Sequence, residues 1–156
     1  MISYDQSCDL CNEFFEDGEK ENRCIARFRD AFILFSALGC FREGYSVYAF
    51  LQHHRSFASK EVAQLEEIER ELDLIRVKIQ QAYSSRVIFA EHGLGLSDNG
   101  ASCCDHAHIY IIPVNDPKQV FMRFYNHRSD CQLMNKIADL TQYKDKPYIY
   151  LSCIPG

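Results

Sequence analysis

The sequence predicts an α+β fold: a mainly antiparallel sheet with one long helix and a C-terminal helix. Three observations predict it. Runs of apolar, β-branched and aromatic residues recur along the chain, separated by turn-forming residues. A single long helical stripe interrupts them, between the second and third runs. At 156 residues, the chain suits one domain, 1–156, with enough length to bury a core.

Residues 1–24 are polar and read as irregular, with Cys8-Asp9-Leu10-Cys11 as their one ordered-looking feature. The charge-rich stretch 16–22 reads as a solvated loop. Ala31 to Ala37 is a continuous apolar run and predicts a strand; Ser46 to Gln52, rich in Val, Tyr and Phe, predicts a second. Gly39 and Gly44 mark the connection between them. The second strand runs into His53-His54-Arg55.

The stripe Val62, Leu65, Ile68, Leu72, Ile75, Ile79 and Tyr83 alternates steps of three and four, which is one face of a helix. Ser59 suits its N-cap and Glu61 the positive end of its dipole. Such a stripe reads as core packing; a two-stranded coiled coil is the alternative, and the stripe is short for one. Arg86 to Glu91 predicts a third strand, leading through His92-Gly93 into a Gly/Ser/Asp/Asn loop that ends near Cys103. His106 to Val114 predicts a fourth, stopped by Pro113 and Asn115-Asp116-Pro117. The C-terminal extension, 116–156, carries a helix at Cys131 to Leu140 and a short strand at Tyr148 to Ser152.

Charge and composition exclude several function classes. Net charge is −5 with no Lys/Arg run, so no polymeric nucleic acid is expected as a partner. A small anion remains compatible, because a few backbone N–H groups suffice to hold a phosphate. No apolar run has the length of a membrane span, so no membrane association is expected. The first residues lack a basic patch followed by an apolar stretch, so no secretory signal is expected. The eight cysteines then read as reduced thiols and the location as cytoplasmic.

The chemistry concentrates in His106-Ala107-His108-Ile109-Tyr110-Ile111-Ile112-Pro113. On a strand, His106, His108 and Tyr110 share one face, about 7 Å apart, while Ala107, Ile109 and Ile111 face the core. A half-exposed strand with a His-rich polar face is the plain reading. The Gly/Ser/Asn loop just before it offers backbone N–H groups to an oxyanion, and imidazole is a competent nucleophile or base near neutral pH. Together these suit phosphoryl or nucleotidyl transfer.

This stretch resembles the motif of the histidine-triad (HIT) superfamily, His-φ-His-φ-His-φ-φ, often followed by Pro, on a strand after a Gly-rich loop. Cys8-x-x-Cys11 resembles the N-terminal Cys pair of many members. Gly44 to Phe57 resembles the strand and turn before the family's long helix, with His53 best matching its histidine. The resemblance covers about residues 5–115. It implies that His108 attacks the α-phosphorus of a nucleotide substrate and forms a covalent nucleotidyl-histidine. The other nitrogen of His108 is expected to donate to a backbone carbonyl. Ser102 and the N–H groups near Cys103 would hold phosphate oxygens. Asn99 aligns loosely with a polar loop residue near the phosphates, though its own chemistry reads first as a turn former.

Tyr110 departs from the motif, standing where the third histidine belongs. A phenol donates one hydrogen bond but carries no positive charge. The resemblance further implies a structural zinc on Cys8, Cys11, His53 and His106, a common closed donor set. His54 is the rival of His53, and Cys103 and Cys104 are rival thiols. His92 reads as a surface or capping residue within reach of the site; His127 reads as surface. Phe28, Phe32 and Ile33 are candidates to line a base pocket. The expected partner is a small-molecule nucleotide, with a homodimer implied by relatives of this size. The expected function is a nucleotidyl hydrolase or transferase. A turnover-free nucleotide-binding module and a zinc-stabilised interaction domain are the alternatives.

Overall fold

The computed structural model describes residues 4–15, 23–29, 31–95, 105–127 and 130–152. In chain order these give helix α1 (Asp9–Phe15), strands β1 (Cys24–Phe28), β2 (Phe32–Ser36) and β3 (Ser46–Phe50), helix α2 (Val62–Tyr83), strands β4 (Arg86–Gly93) and β5 (His108–Val114), helix α3 (Pro117–Asn126), a 3-10 helix (Ile137–Tyr143) and strand β6 (Tyr148–Ser152). The six strands form one sheet in the order β1-β2-β3-β5-β4-β6, every neighbour antiparallel. The α+β reading and the antiparallel sheet hold.

The long helix lies where the stripe puts it. Leu65, Ile68, Leu72, Ile75 and Ile79 are buried, while Val62 and Tyr83, at the two ends of the stripe, are exposed. These side chains meet Tyr48, Phe50, Val87, Phe89, Ile109 and Ile111 from one face of the sheet. The N-cap is Glu61 rather than Ser59: Glu61 and Gln64 form a reciprocal capping box. Ser59 instead ends a short 3-10 turn (Phe57–Ser59), its hydroxyl donating to the Ser56 carbonyl at 2.7 Å. Ser84 ends the helix in the left-handed region, with φ +51°.

Four expectations about elements are corrected. The N-terminal segment is not irregular throughout: α1 packs Leu10 and Phe14 onto Ile33, Phe35, Val47 and Ala49, covering the second face of the sheet. A strand, β1, lies before the first apolar run, so the long helix falls between the third and fourth strands. The C-terminal helix spans Pro117–Asn126, not Cys131 to Leu140. Pro117 opens it at a position that needs no N–H donor, and the Asp116 side chain caps it by accepting from the Gln119 N–H at 3.2 Å. Pro113 does not stop β5 but pairs with Val87 inside it.

One end of the sheet gathers the chemistry. There Ala49 pairs with His108, and Gly93 with Tyr148. Gly93 is required by contact, since a Cβ would run into the Tyr148 ring. Glu91 lies fully buried beside that ring, accepting from the Phe57 N–H at 2.8 Å and the Tyr148 hydroxyl at 2.7 Å. No helix among the described residues is long and apolar enough to cross a membrane.

Candidate metal and histidine site

Cys8 and Cys11 stand at the start of α1, one helical turn apart, and both thiols are buried. The chain leaves β3 at Phe50 and turns so that His53 faces them. His106 arrives from the far side, just before β5 begins. The Cys11 sulfur lies 3.4 Å from His53 Nδ1 and 3.5 Å from His106 Nδ1, and the Cys8 sulfur lies 3.5 Å from His106 Nδ1. All four candidate ligand atoms fall within 4.8 Å of one another.

These separations fit a tetrahedral cation. With sulfur at about 2.3 Å and nitrogen at about 2.0–2.1 Å from a zinc ion, the S···N edge of the tetrahedron is about 3.5 Å. The outer bonds agree. His106 is neutral, since burial pushes its pKa down to about 4 against the opposing hydrogen bond to Phe50. Its Nε2–H donates to the Phe50 carbonyl at 2.7 Å, so the Nδ1 lone pair faces the thiols. His53 Nε2 faces the Asp5 carboxylate at 4.0 Å. Asp5 stays anionic because the Ser7 hydroxyl and backbone N–H donate to it. Burial pushes the Cys8 thiol up to about 12, so a cation is the partner that would let it ionise. The donor set therefore fits a bound metal ion, and a closed Cys₂His₂ set would make its role structural.

The geometry decides between the two adjacent histidines. His53 joins the thiols, whereas His54 turns away onto the Phe50 ring, at 4.8 Å between centroids, and accepts from the Lys60 ammonium at 2.7 Å. Burial first, then the Lys60 charge, pushes His54 down to about 4.

His108 opens β5 on the face opposite Ile109 and Ile111. Its Nδ1 lies 2.7 Å from the His106 carbonyl. A carbonyl only accepts, so Nδ1 carries the proton and the neutral ring keeps its lone pair on Nε2. Burial holds the ring below the ordinary imidazole range; the bond to His106 opposes this, and the charge of His92 reinforces it. Tyr110 follows on the same face, its ring edge-on to His108 at 4.7 Å and stacked on Tyr45 at 6.1 Å.

Two features differ from the expectation of an open polar strand face. His106 precedes the strand instead of lying in it, so its ring swings to the thiols and does not line up with His108. Both rings are also buried, His106 at 1% and His108 at 5% exposure. At His106 the cover comes from α1, whose Phe14 sits edge-on to the ring at 5.5 Å. Asn99, Ser102, Cys103 and Cys104 lie outside the described residues. Of the base-pocket candidates, Phe32 packs against the Tyr48 and Phe50 rings in the helix-side core, Phe28 flanks that core, and Ile33 is buried on the other face under α1. His127 is exposed at the end of α3. The sequence reading missed the Phe50 carbonyl, Asp5 and Lys60. A backbone acceptor leaves no mark in a sequence; Asp5 carried a faint one, an acid three residues before Cys8.

The fold and the cluster define an α+β protein with an antiparallel sheet and a Cys/His metal-type centre at one sheet end. Solved structures with this fold include a HIT-like protein from Bartonella henselae, at TM-score 0.56 and 11% identity, covering 91% of this chain and 99% of the other. A HIT family protein from Bacillus anthracis matches at 0.56 and 11% over 71% and 75%, and one from Bacillus subtilis at 0.56 and 10% over 83% and 100%. No family model matches the sequence, and no curated protein matches it. The chain has the HIT-like fold.

Proposed function

We propose that this chain is a nucleotide-binding HIT-like protein that cleaves or transfers at the α-phosphate of a nucleoside phosphate derivative, through a covalent nucleotide on His108. The observation that carries this reading is the His108 Nδ1 to His106 carbonyl contact at 2.7 Å. It fixes the tautomer in which Nε2 is the nucleophile, and burial keeps that nitrogen unprotonated at neutral pH. Nε2 attacks phosphorus, the bond to the leaving group breaks, and water or another acceptor then displaces the histidine. Cys8, Cys11, His53 and His106 would hold a structural zinc, which supplies rigidity rather than reaction chemistry. His106 is thereby a positioning residue, acting through its carbonyl. Tyr110 packs beside the reacting ring, and the 99–103 stretch is proposed to cradle phosphate.

The test is incubation with a panel of α-³²P-labelled nucleoside phosphate derivatives, followed by detection of an acid-labile protein adduct. His108→Ala is expected to lose the adduct and at least ~100-fold in turnover, the lower range for removing a nucleophile or base. An unchanged rate in that variant would eliminate the mechanism.

A second reading is favoured by the 5% exposure of His108 and by Tyr110 in the third place: a module that binds nucleotide without turning it over. It expects a nucleotide-induced thermal shift with no adduct, and chemistry appearing in Tyr110→His.

A further inference from the structure

We propose that His92 is the proton donor to the leaving group, and that the cavity beside it, walled by the C-terminal extension, receives a planar, ring-bearing leaving group. This rests on nucleotidyl transfer at His108.

The need comes from chemistry. When Nε2 of His108 bonds to phosphorus, the departing atom takes the electron pair of the broken bond and, if it is a poor leaving group, must take a proton. The third place of the motif holds Tyr110, and a neutral phenol carries no positive charge to offset the charge that develops there.

The neighbouring strand supplies an alternative. Ala90 of β4 is the cross-strand partner of Tyr110. Two residues on, His92 returns to the same sheet face. His108 likewise lies two residues from Tyr110, so both imidazoles belong to that face. His92 also lines a cavity of about 650 Å³, within the range of small-molecule sites at roughly 300–1,000 Å³.

The rest of that cavity comes from residues 121–152, together with Glu69 of α2. Phe121, Phe124 and Tyr125 of α3 offer flat aromatic faces suited to stacking on a ring, and Ile149 of β6 adds apolar surface. Lys146 is among its lining residues, and its backbone abuts Gly95, where the described part of the post-β4 loop ends. Among the described residues, the acidic lining is Glu69 and Asp130. The Glu69 carboxylate is engaged by the Ile137 N–H.

The steps balance. His92, as imidazolium, gives its proton to the leaving nitrogen or oxygen as the bond to phosphorus breaks, and the neutral leaving group enters the cavity. Neutral His92 then takes a proton from the attacking water. The new P–O bond forms, the P–N bond to His108 breaks, and both histidines return to their starting states.

The experiment compares two adenosine 5′-phosphate derivatives, the 4-nitrophenyl ester and the 2-phenylethylamine amidate, in the full chain. Nitrophenolate leaves without a proton; the amine does not. In a single turnover, His92→Asn and His92→Gln are expected to slow release of the amine from the amidate by 10² or more while changing release of nitrophenolate from the ester by less than about threefold. Phe124→Ala is expected to raise KM about tenfold for the phenylethyl amidate and leave the methylamine amidate unchanged. Equal slowing of ester and amidate in both His92 variants, or no slowing of either, overturns the assignment of His92. An equal KM change for both amidates overturns the cavity. If the wild type turns over neither substrate and forms no adduct, the transfer reading falls and this proposal with it. Normal wild-type turnover with unaffected variants removes this proposal alone.

Discussion

Glu91 is buried, and the Phe57 N–H and the Tyr148 hydroxyl both donate to its carboxylate. Burial is the larger influence and raises its carboxyl from 4.5 to about 7, while the two hydrogen bonds pull the other way. Between those values the folded chain keeps a proton that the unfolded chain releases, so stability falls as pH rises. The contribution is fully present below about pH 4.5 and is lost as pH passes 7. At 1.36 kcal/mol per pH unit it amounts to about 3 kcal/mol. Urea denaturation at pH 5 and pH 7.5 is expected to show the wild type losing stability relative to Glu91→Gln across that interval. Parallel behaviour of the two would refute the assignment. None of this is legible in the sequence, where Glu91 reads as a polar strand end. What hides it is the Tyr148 ring, brought over the carboxylate by a strand 57 residues further along.

Elements were legible in proportion to their length and to how far their own residues decide their state. The 22-residue α2 carries five buried apolar side chains on one face, a period no other structure shares. Strands β2 and β3 are nearly continuous apolar runs. In contrast, α1 has seven residues, too few for a periodic signal, and β1 (Cys-Ile-Ala-Arg-Phe) is a five-residue edge strand with alternate residues exposed. For α3, Pro117 reads as a terminator by its chemistry and proves to be an initiator by its position. The pairing of β4 with β6 depends on Gly93, which leaves room for the Tyr148 ring. Gly93→Ala is expected to lower stability by about 1–3 kcal/mol, the usual cost of overpacking. It should also disturb the Glu91–Tyr148 bond. Thermal denaturation, with tyrosine fluorescence as a second probe, measures both.

At the scale of the whole molecule, the metal-type cluster fastens the N-terminal helix to the end of the sheet through side chains from three separate regions. Metal analysis of the purified chain is expected to give about one zinc per chain, the stoichiometry of a single Cys₂His₂ set. Cys11→Ser is expected to lose it and to lower Tm by several degrees, whereas Cys40→Ser, at an exposed thiol, should change neither. Retention of a full equivalent by Cys11→Ser would exclude this cluster. The four donors were legible because the Cys-x-x-Cys spacing and the histidines carry the chemistry in their identities. Their burial was not, because it depends on α1 folding over a face that the β5 pattern alone presents as polar.

The spacing of those donors along the chain also constrains the order in which the domain is assembled. Cys11 meets His53 across 42 residues and His106 across 95. Closing such loops has an entropic cost that grows with length and is recovered only once the intervening strands have paired. During synthesis the two thiols leave the ribosome first and wait for their last partner until most of the domain has emerged. Capture of an ion by this cluster would then be a late event that follows the pairing of the strands.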